Sequence, residues 1–97
     1  IIMDPPSYGR GSNGEVWDIE KDLYNLVELC TDLLTDDPIF FIINSYTTGL
    51  SMTVLENVLN LTVNQKVKGT ISSDELGVPM KDSELILPCG IYARWEK

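Results

Sequence analysis

The chain has 97 residues, of which 43% are hydrophobic and 23% charged, a composition typical of one globular domain spanning residues 1–97. Its 15 acidic residues outnumber its 7 basic residues, and the resulting net charge of −8 disfavours unaided binding to nucleic-acid phosphates. The chain has no histidine, the commonest general base and metal ligand, so we expect neither a hydrolase triad nor a metal site.

The first predicted element is a short apolar strand, Ile1 to Met3. It must end at Asp4-Pro5-Pro6, because consecutive prolines can continue neither a strand ladder nor a helix. Ser7 to Gly14 contains three glycines and predicts a flexible loop that can approach a ligand closely. Because the chain begins in mid-strand, we expect it to be a piece of a longer protein.

A helix is predicted from Trp17 or Asp18 to about Leu34, with Asp18 as its N-cap. Its apolar residues recur at steps of three and four and form a single stripe. These residues are Ile19, Leu23, Leu26, Val27, Cys30, Leu33 and Leu34.

The segment Ile39 to Ile43 is apolar at every position, which predicts a central strand covered by helices on both sides. A second helix should follow, with Ser51 as its N-cap. Val67 to Ser73 and Leu85 to Trp95 then predict two strands that pair antiparallel, joined by an exposed connection from Asp74 to Glu84. The order of elements predicts half of a doubly wound α/β sheet.

The two cysteines, Cys30 and Cys89, have no metal-binding spacing, and we interpret both as buried thiols in a reducing compartment. No apolar run approaches the ~18 residues of a membrane span, and no signal peptide is recognisable. We therefore expect a cytoplasmic protein that does not engage membranes.

The main candidates for functional residues lie in Asp4-Pro5-Pro6-Ser7-Tyr8, directly after the first strand. In open α/β sheets, ligands bind outside the carboxyl ends of the strands. A rigid turn there fixes a carboxylate and backbone carbonyls as acceptors for an exocyclic amine or a ligand ammonium, and Tyr8 offers a flat face for stacking.

The Asp-Pro-Pro-x-Tyr element resembles motif IV of class I S-adenosylmethionine-dependent methyltransferases. The longer run through Gly9-Arg10-Gly11 and Gly14 to Trp17 resembles bacterial ribosomal RNA methyltransferase-like proteins that act on cytosine C5 or guanine N2. The closing segment, Leu85 to Trp95, is similar to the final strand of that subgroup.

The resemblance implies a Rossmann-like sheet of order 3-2-1-4-5-7-6, of which this chain would hold strands 4 to 7 with helices packed on them. It implies catalytic roles for Asp4, Pro5 and Tyr8, and contacts with S-adenosylmethionine for Asp4 and Pro6. Substrate contacts would come from Tyr8, Arg10 and the residues that end the central strand, Asn44 and Ser45.

The sequence departs from the cytosine C5 enzymes in its chemistry. Those enzymes attack the ring with a cysteine at the end of strand 5, where this chain has Ile43-Asn44-Ser45-Tyr46. Methyl transfer to a nitrogen or oxygen nucleophile is therefore the predicted reaction, with Asp4 orienting the nucleophile, the Pro5 carbonyl assisting, and Arg10 holding a phosphate.

The glycine-rich donor loop and the ribose-binding acid of the resembled family have no counterpart here and are expected upstream. The chain alone is therefore expected to be inactive, and RNA binding is expected to need upstream regions. We also expect self-association, edge to edge or by exchanged elements, because a sheet edge lacks its neighbour. Two alternatives remain: a non-catalytic α/β dimerisation or docking module and, more weakly, another Rossmann-type enzyme, although no Gly-x-Gly-x-x-Gly motif is present.

Overall fold

The computed structural model describes residues 1–97 as two helices, one further helical turn and six strands. In chain order, the elements are β1 (Ile2–Met3), β2 (Tyr8–Arg10), β3 (Val16–Asp18), α1 (Ile19–Cys30), β4 (Phe40–Ser45), α2 (Met52–Leu61), the short α3 (Val63–Lys66), β5 (Thr70–Pro79) and β6 (Ile86–Glu96).

The main sheet has four strands in the order β1-β4-β6-β5. Strand β1 runs parallel to β4, whereas β6 is antiparallel to both of its neighbours, β4 and β5. This is the 4-5-7-6 order that the family resemblance implies, and the predicted α/β fold class and the antiparallel pairing of the last two strands are confirmed. Strand β1 forms one edge of the sheet, and β5 forms the other.

Both helices cover the same face of the sheet. Strand β4 alternates, with Phe41, Ile43 and Ser45 buried and the intervening residues half-buried. The buried face packs with one stripe from each helix into a single core, which consists of Met3, Ile19, Leu23, Val27, Phe41, Ile43, Leu55, Val58, Leu59, Val63, Ala93 and Trp95. The prediction of helices on both sides of β4 is therefore wrong, and Phe40 belongs to the uncovered face.

Capping side chains set the starts of both helices. The carboxylate of Asp18 accepts from the Glu20 backbone N–H at 3.0 Å, and the hydroxyl of Ser51 accepts from the Val54 backbone N–H at 3.3 Å. Both predicted caps are thus confirmed. Helix α1 ends at Cys30, earlier than predicted.

A tight 3-10 turn, Thr31–Leu33, follows α1. The Thr31 hydroxyl donates to the Glu28 carbonyl at 2.6 Å, a local bond that competes with regular helix geometry. Leu33 consequently leaves the apolar stripe and is 76% exposed.

Two segments predicted as loops form strand pairs. Part of the glycine-rich segment after Asp4-Pro5-Pro6 is β2, which pairs antiparallel with β3. The predicted connection from residue 74 to 84 is strand as far as Pro79, so β5 and β6 form a long hairpin closed by residues 80–85. Backbone hydrogen bonds between the strands extend both ladders beyond the core. The Gly and Pro content of these segments predicts loops and does not reveal this pairing.

The cysteines are unpaired and half-buried, Cys30 on α1 and Cys89 on β6, so the interpretation of both thiols as buried is only partly met. None of the helices combines the length and the apolar character needed to cross a bilayer.

Candidate functional site

The Asp-Pro-Pro turn and the end of β4 lie side by side. Met3 pairs with Ile43 in the parallel ladder, so Asp4 and Asn44 are the next residues along adjacent strands, ~4.8 Å apart in the hydrogen-bonding direction. Met3 and Ile43 point into the core, so alternation directs Asp4 and Asn44 towards the uncovered face. The sheet therefore brings together two of the residues that the sequence selected as site candidates.

Asp4 is exposed, and its carboxylate makes no hydrogen bond or ion pair within the chain. Pro5, by contrast, is buried, which fixes the backbone that carries Asp4. The Pro5 carbonyl also accepts no hydrogen bond from within the chain. A carboxylate and a carbonyl held on a rigid turn form a pair of acceptors for an N–H or ammonium donor.

The Pro6 carbonyl is engaged, in contrast to that of Pro5. The indole Nε1–H of Trp17 donates to it at 2.6 Å, across the short β2–β3 hairpin. The Pro6 carbonyl is therefore already partly satisfied, unlike that of Pro5, and is the less available of the two for a contact with S-adenosylmethionine. Sequence reasoning missed Trp17, because no local pattern identifies an indole that bonds 11 positions back along the chain.

A second link joins the turn to the loop after β4. The Ser7 and Thr47 hydroxyl oxygens lie 2.6 Å apart, and the Ser45 hydroxyl accepts from the Thr47 backbone N–H at 3.2 Å. Ser45 is only 2% exposed, so its hydroxyl serves to order this loop. Of the two residues predicted at the end of β4, Asn44 is the better placed to meet a substrate.

Gly90 supports the end of β4 from the neighbouring strand. It has a φ of +119°, and a Cβ placed on it would lie 2.3 Å from the Ser45 carbonyl oxygen. Only glycine permits this approach of β6 to β4. The backbone at Ser45 is thus held by close packing as well as by hydrogen bonds.

Tyr8 and Arg10 lie on one face of β2. Alternation places Gly9, between them, on the opposite face with its partner Trp17. The Arg10 guanidinium carbon lies 5.9 Å from the centre of the Tyr8 ring, within the range of a cation–π contact. Tyr8 is 55% exposed, so the pair presents an aromatic and cationic surface beside the Asp-Pro-Pro turn.

The loop that closes this hairpin is ordered by Glu15. The Gly11 N–H donates to the Glu15 carbonyl at 2.8 Å, and the Asn13 N–H donates to the Glu15 carboxylate at 3.0 Å. Hydrogen bonds from its own backbone N–H and from that of Asn13 lower the pKa of Glu15. The carboxylate therefore closes the loop in its charged form.

The candidate site is an open ledge. Two concavities lie elsewhere: one of about 280 Å³ is lined by residues that include Ile1 and Pro38, at the amino end of β4, and one of about 580 Å³ lies along the β5–β6 hairpin. Asp4, Asn44 and Tyr8 line neither of them. The residues at the site can form one wall of a binding pocket but do not enclose a ligand.

A solved structure has a similar fold. The S-adenosylmethionine-dependent methyltransferase from Agrobacterium tumefaciens superposes with a TM-score of 0.80 at 23% sequence identity, over 98% of this chain. The chain has a methyltransferase-type fold. It spans 32% of the length of that enzyme.

No protein-family model and no curated protein matches the chain at the level of sequence. The order β1-β4-β6-β5 matches strands 4, 5, 7 and 6 of the sheet that the family resemblance implies. Asp4 therefore lies at the carboxyl end of the strand that corresponds to strand 4.

Proposed function

We propose that this chain is part of an S-adenosylmethionine-dependent methyltransferase and supplies one wall of its active site. The observation that carries the proposal is the pair of free acceptors, the Asp4 carboxylate and the Pro5 carbonyl. Both lie at the carboxyl end of β1, beside the carboxyl end of the parallel strand β4, in a sheet with methyltransferase strand order. Free, exposed acceptors on an otherwise rigid turn favour a ligand contact over a purely structural role.

The acceptor pair fits an N–H or ammonium group of the substrate or of S-adenosylmethionine, which supplies an electrophilic methyl group when bound. Asp4 would orient the attacking nitrogen or oxygen and stabilise the positive charge that develops on it. Strand β4 ends in Asn44 and Ser45 and holds no cysteine of its own, whereas Cys30 is on α1 and Cys89 is on the neighbouring strand β6. The chain therefore favours direct transfer over a covalent cysteine intermediate.

The proposed acceptor is a nucleobase of RNA, with ribosomal RNA as the class that the sequence resemblance favours. Tyr8 would stack on the base and Arg10 would contact a nearby phosphate, and both lie on the exposed face of β2. A net charge of −8 opposes broad contact with the RNA backbone, so binding would depend on regions outside these 97 residues. We place the enzyme in the cytoplasm, where ribosomal RNA is found.

The isolated chain is proposed to be inactive. Its site is an open ledge, and a methyl donor and an acceptor have to be held in line, with water excluded, for rapid transfer. A single wall would bind each ligand weakly.

Nuclear magnetic resonance titration of the ¹⁵N-labelled chain with S-adenosylmethionine tests the proposal. We expect weak, saturable shifts in the amides of Asp4, Ser7, Tyr8 and residues 44–47, and their loss in Asp4→Asn. Asp36→Asn, a change of the same kind at an exposed residue before β4, should leave the shifts intact. Shifts that persist in Asp4→Asn, or that arise only outside these residues, would contradict the assignment.

A parallel titration with cytidine and guanosine tests the acceptor. Tyr8→Ala should abolish shifts at β2, whereas Tyr24→Ala, at another exposed tyrosine (42% exposed), should not. If Tyr8→Ala binds the nucleosides as the parent chain does, the stacking role is wrong.

A further inference from the structure

Asn13 differs from the other asparagines of the chain in its sequence neighbour. The chain has six asparagines, and Asn13 alone is followed by glycine. The next residue matters because its backbone nitrogen can attack the asparagine side chain, and any side chain on that residue hinders the approach. Gly14 has none, and a Cβ placed on it would meet nothing within 4 Å, so solvent has access to the reacting groups.

Asn13 is also the only asparagine outside the helices and strands. The other five lie in regular elements: Asn25 in α1, Asn44 in β4, Asn57 and Asn60 in α2, and Asn64 in α3. Helix and strand geometry fixes φ and ψ at those positions and keeps the next backbone nitrogen from turning towards the side chain. The asparagine with the least hindered neighbour is therefore also the one that no regular element restrains.

Weak contacts hold the two reacting groups in the closed loop. Asn13 is exposed, and its carboxamide makes no hydrogen bond within the chain. The Gly14 N–H donates to the Gly11 carbonyl at 3.3 Å, just beyond the usual range of N–H···O distances. Residues 11–16 are all exposed, so a local opening of the loop breaks no buried contact and costs little free energy.

From this combination we propose that Asn13 is a site of spontaneous deamidation through a cyclic imide. The Gly14 nitrogen loses its proton to a solvent base and forms a bond to the Asn13 Cγ, while the bond from Cγ to Nδ2 breaks and ammonia leaves with a solvent proton. Water then adds to one of the two imide carbonyls, and the bond from that carbonyl to the nitrogen breaks. The products are an aspartate and an isoaspartate, whose backbone runs through the former side chain. The reaction is independent of the methyltransferase assignment.

The modification changes the loop that closes the β2–β3 hairpin. It turns a neutral amide into a carboxylate, so the net charge of −8 gains one further negative charge. The new charge lies beside the Glu15 carboxylate, which accepts the Asn13 N–H at 3.0 Å, and the two anions repel each other. An isoaspartate also lengthens the backbone of the turn. We therefore expect the loop to loosen next to Arg10, the last residue of β2.

Incubation of the full chain at neutral pH, followed by brief trypsin digestion and mass spectrometry, tests the proposal. Cleavage after Arg10, Lys21 and Lys66 gives residues 11–21, with Asn13 alone, and residues 22–66, with the other five asparagines. We expect the mass gain of an amide-to-acid change in residues 11–21 at a rate at least about tenfold above the rate per asparagine in residues 22–66. Equal rates in the two peptides would overturn the proposal.

Two variants and one chemical readout test the route. Gly14→Ala should slow the reaction at least about tenfold, because its methyl group hinders the attacking nitrogen. Ser12→Ala, on the other side of Asn13, is the matched control and should leave the rate unchanged. Edman degradation of residues 11–21 from the incubated parent chain should stop at position 13, because the peptide bond of an isoaspartate lies on its side chain. An unchanged rate in Gly14→Ala, or aspartate as the only product, would overturn the cyclic route.

Asn13→Asp copies the added charge without the reaction. It should speed hydrogen exchange at the Gly11 amide, which donates to the Glu15 carbonyl at 2.8 Å across the loop. Unchanged exchange at Gly11 would overturn the predicted loosening of the loop.

Discussion

Replacing Gly90 by alanine should destabilise the chain more than its single methyl group suggests. The Cβ would lie 2.3 Å from the Ser45 carbonyl oxygen, 3.0 Å from its carbonyl carbon and 3.1 Å from the Tyr46 Cα. All three are backbone atoms of or next to a central strand, so no rotamer change can relieve the contact. The φ of +119° adds a strain of about 1–3 kcal/mol for a residue with a side chain.

Strain and steric overlap together should lower the free energy of unfolding by roughly 3 kcal/mol or more, at the upper end for single substitutions. Gly14→Ala is the matched control. Gly14 also has a positive φ, +85°, but a Cβ there meets nothing within 4 Å, so only the strain of roughly 1–2 kcal/mol remains. The difference between the two variants measures the close approach of β6 to β4.

Urea denaturation followed by circular dichroism gives both free energies, provided that the unfolding slopes agree. Equal losses in Gly90→Ala and Gly14→Ala would refute the argument from close packing. If Gly90→Ala does not fold, the comparison still holds, because Gly14→Ala is expected to remain folded.

Three further outcomes follow from named contacts. Trp17→Phe removes the donor to the Pro6 carbonyl and should cost about 0.5–1.5 kcal/mol in urea denaturation. It should also shift the amide resonances of Asp4 and Ser7, which flank the two prolines, and unchanged resonances would contradict the role. Because the folded-state pKa of Glu15 is lowered, its charged carboxylate stabilises the loop at pH values above the ordinary pKa of a glutamate, and this stabilisation is lost as the pH falls through the folded-state pKa. Acid should therefore speed hydrogen exchange at the Asn13 amide relative to its intrinsic rate, and Glu15→Gln should remove that pH dependence. Ser51→Ala should cost about 1 kcal/mol in thermal or urea unfolding, whereas a cost near zero would mean that the hydroxyl does not cap α2.

The parts of the fold that sequence predicts well are those governed by one local signal. The stripe from Ile19 to Val27 specifies α1, and Asp18 and Ser51 satisfy the free N–H groups at the starts of α1 and α2. The strand order came from the resemblance of the Asp-Pro-Pro element and of Leu85 to Trp95 to a known family. Local periodicity alone would not have ordered the strands.

The incorrect predictions concern features that depend on contacts between residues far apart in the sequence. The uniform apolar character of residues 39–43 indicates burial but cannot show that α1 and α2 pack on the same face. The glycines between Ser7 and Gly14 suggest a loop, yet the partners of β2 lie in β3 and shape the segment into a hairpin. At the site, Asp4 follows β1 and Asn44 lies near the end of β4, and strand ends are positions that sequence patterns indicate. Trp17 and Gly90 act through contacts that sequence spacing does not reveal.

The measurement that tests the central claim most directly is photochemical labelling with radioactive S-adenosylmethionine, followed by trypsin digestion and peptide mapping. Cleavage at Arg10 isolates residues 1–10, which contain the Asp-Pro-Pro turn, from residues 69–81 and 82–94, which contain most of the β5–β6 hairpin. The account predicts saturable label in residues 1–10 that excess unlabelled donor displaces and Asp4→Asn reduces. Label confined to residues 69–94, with none in residues 1–10, would contradict the assignment of this site.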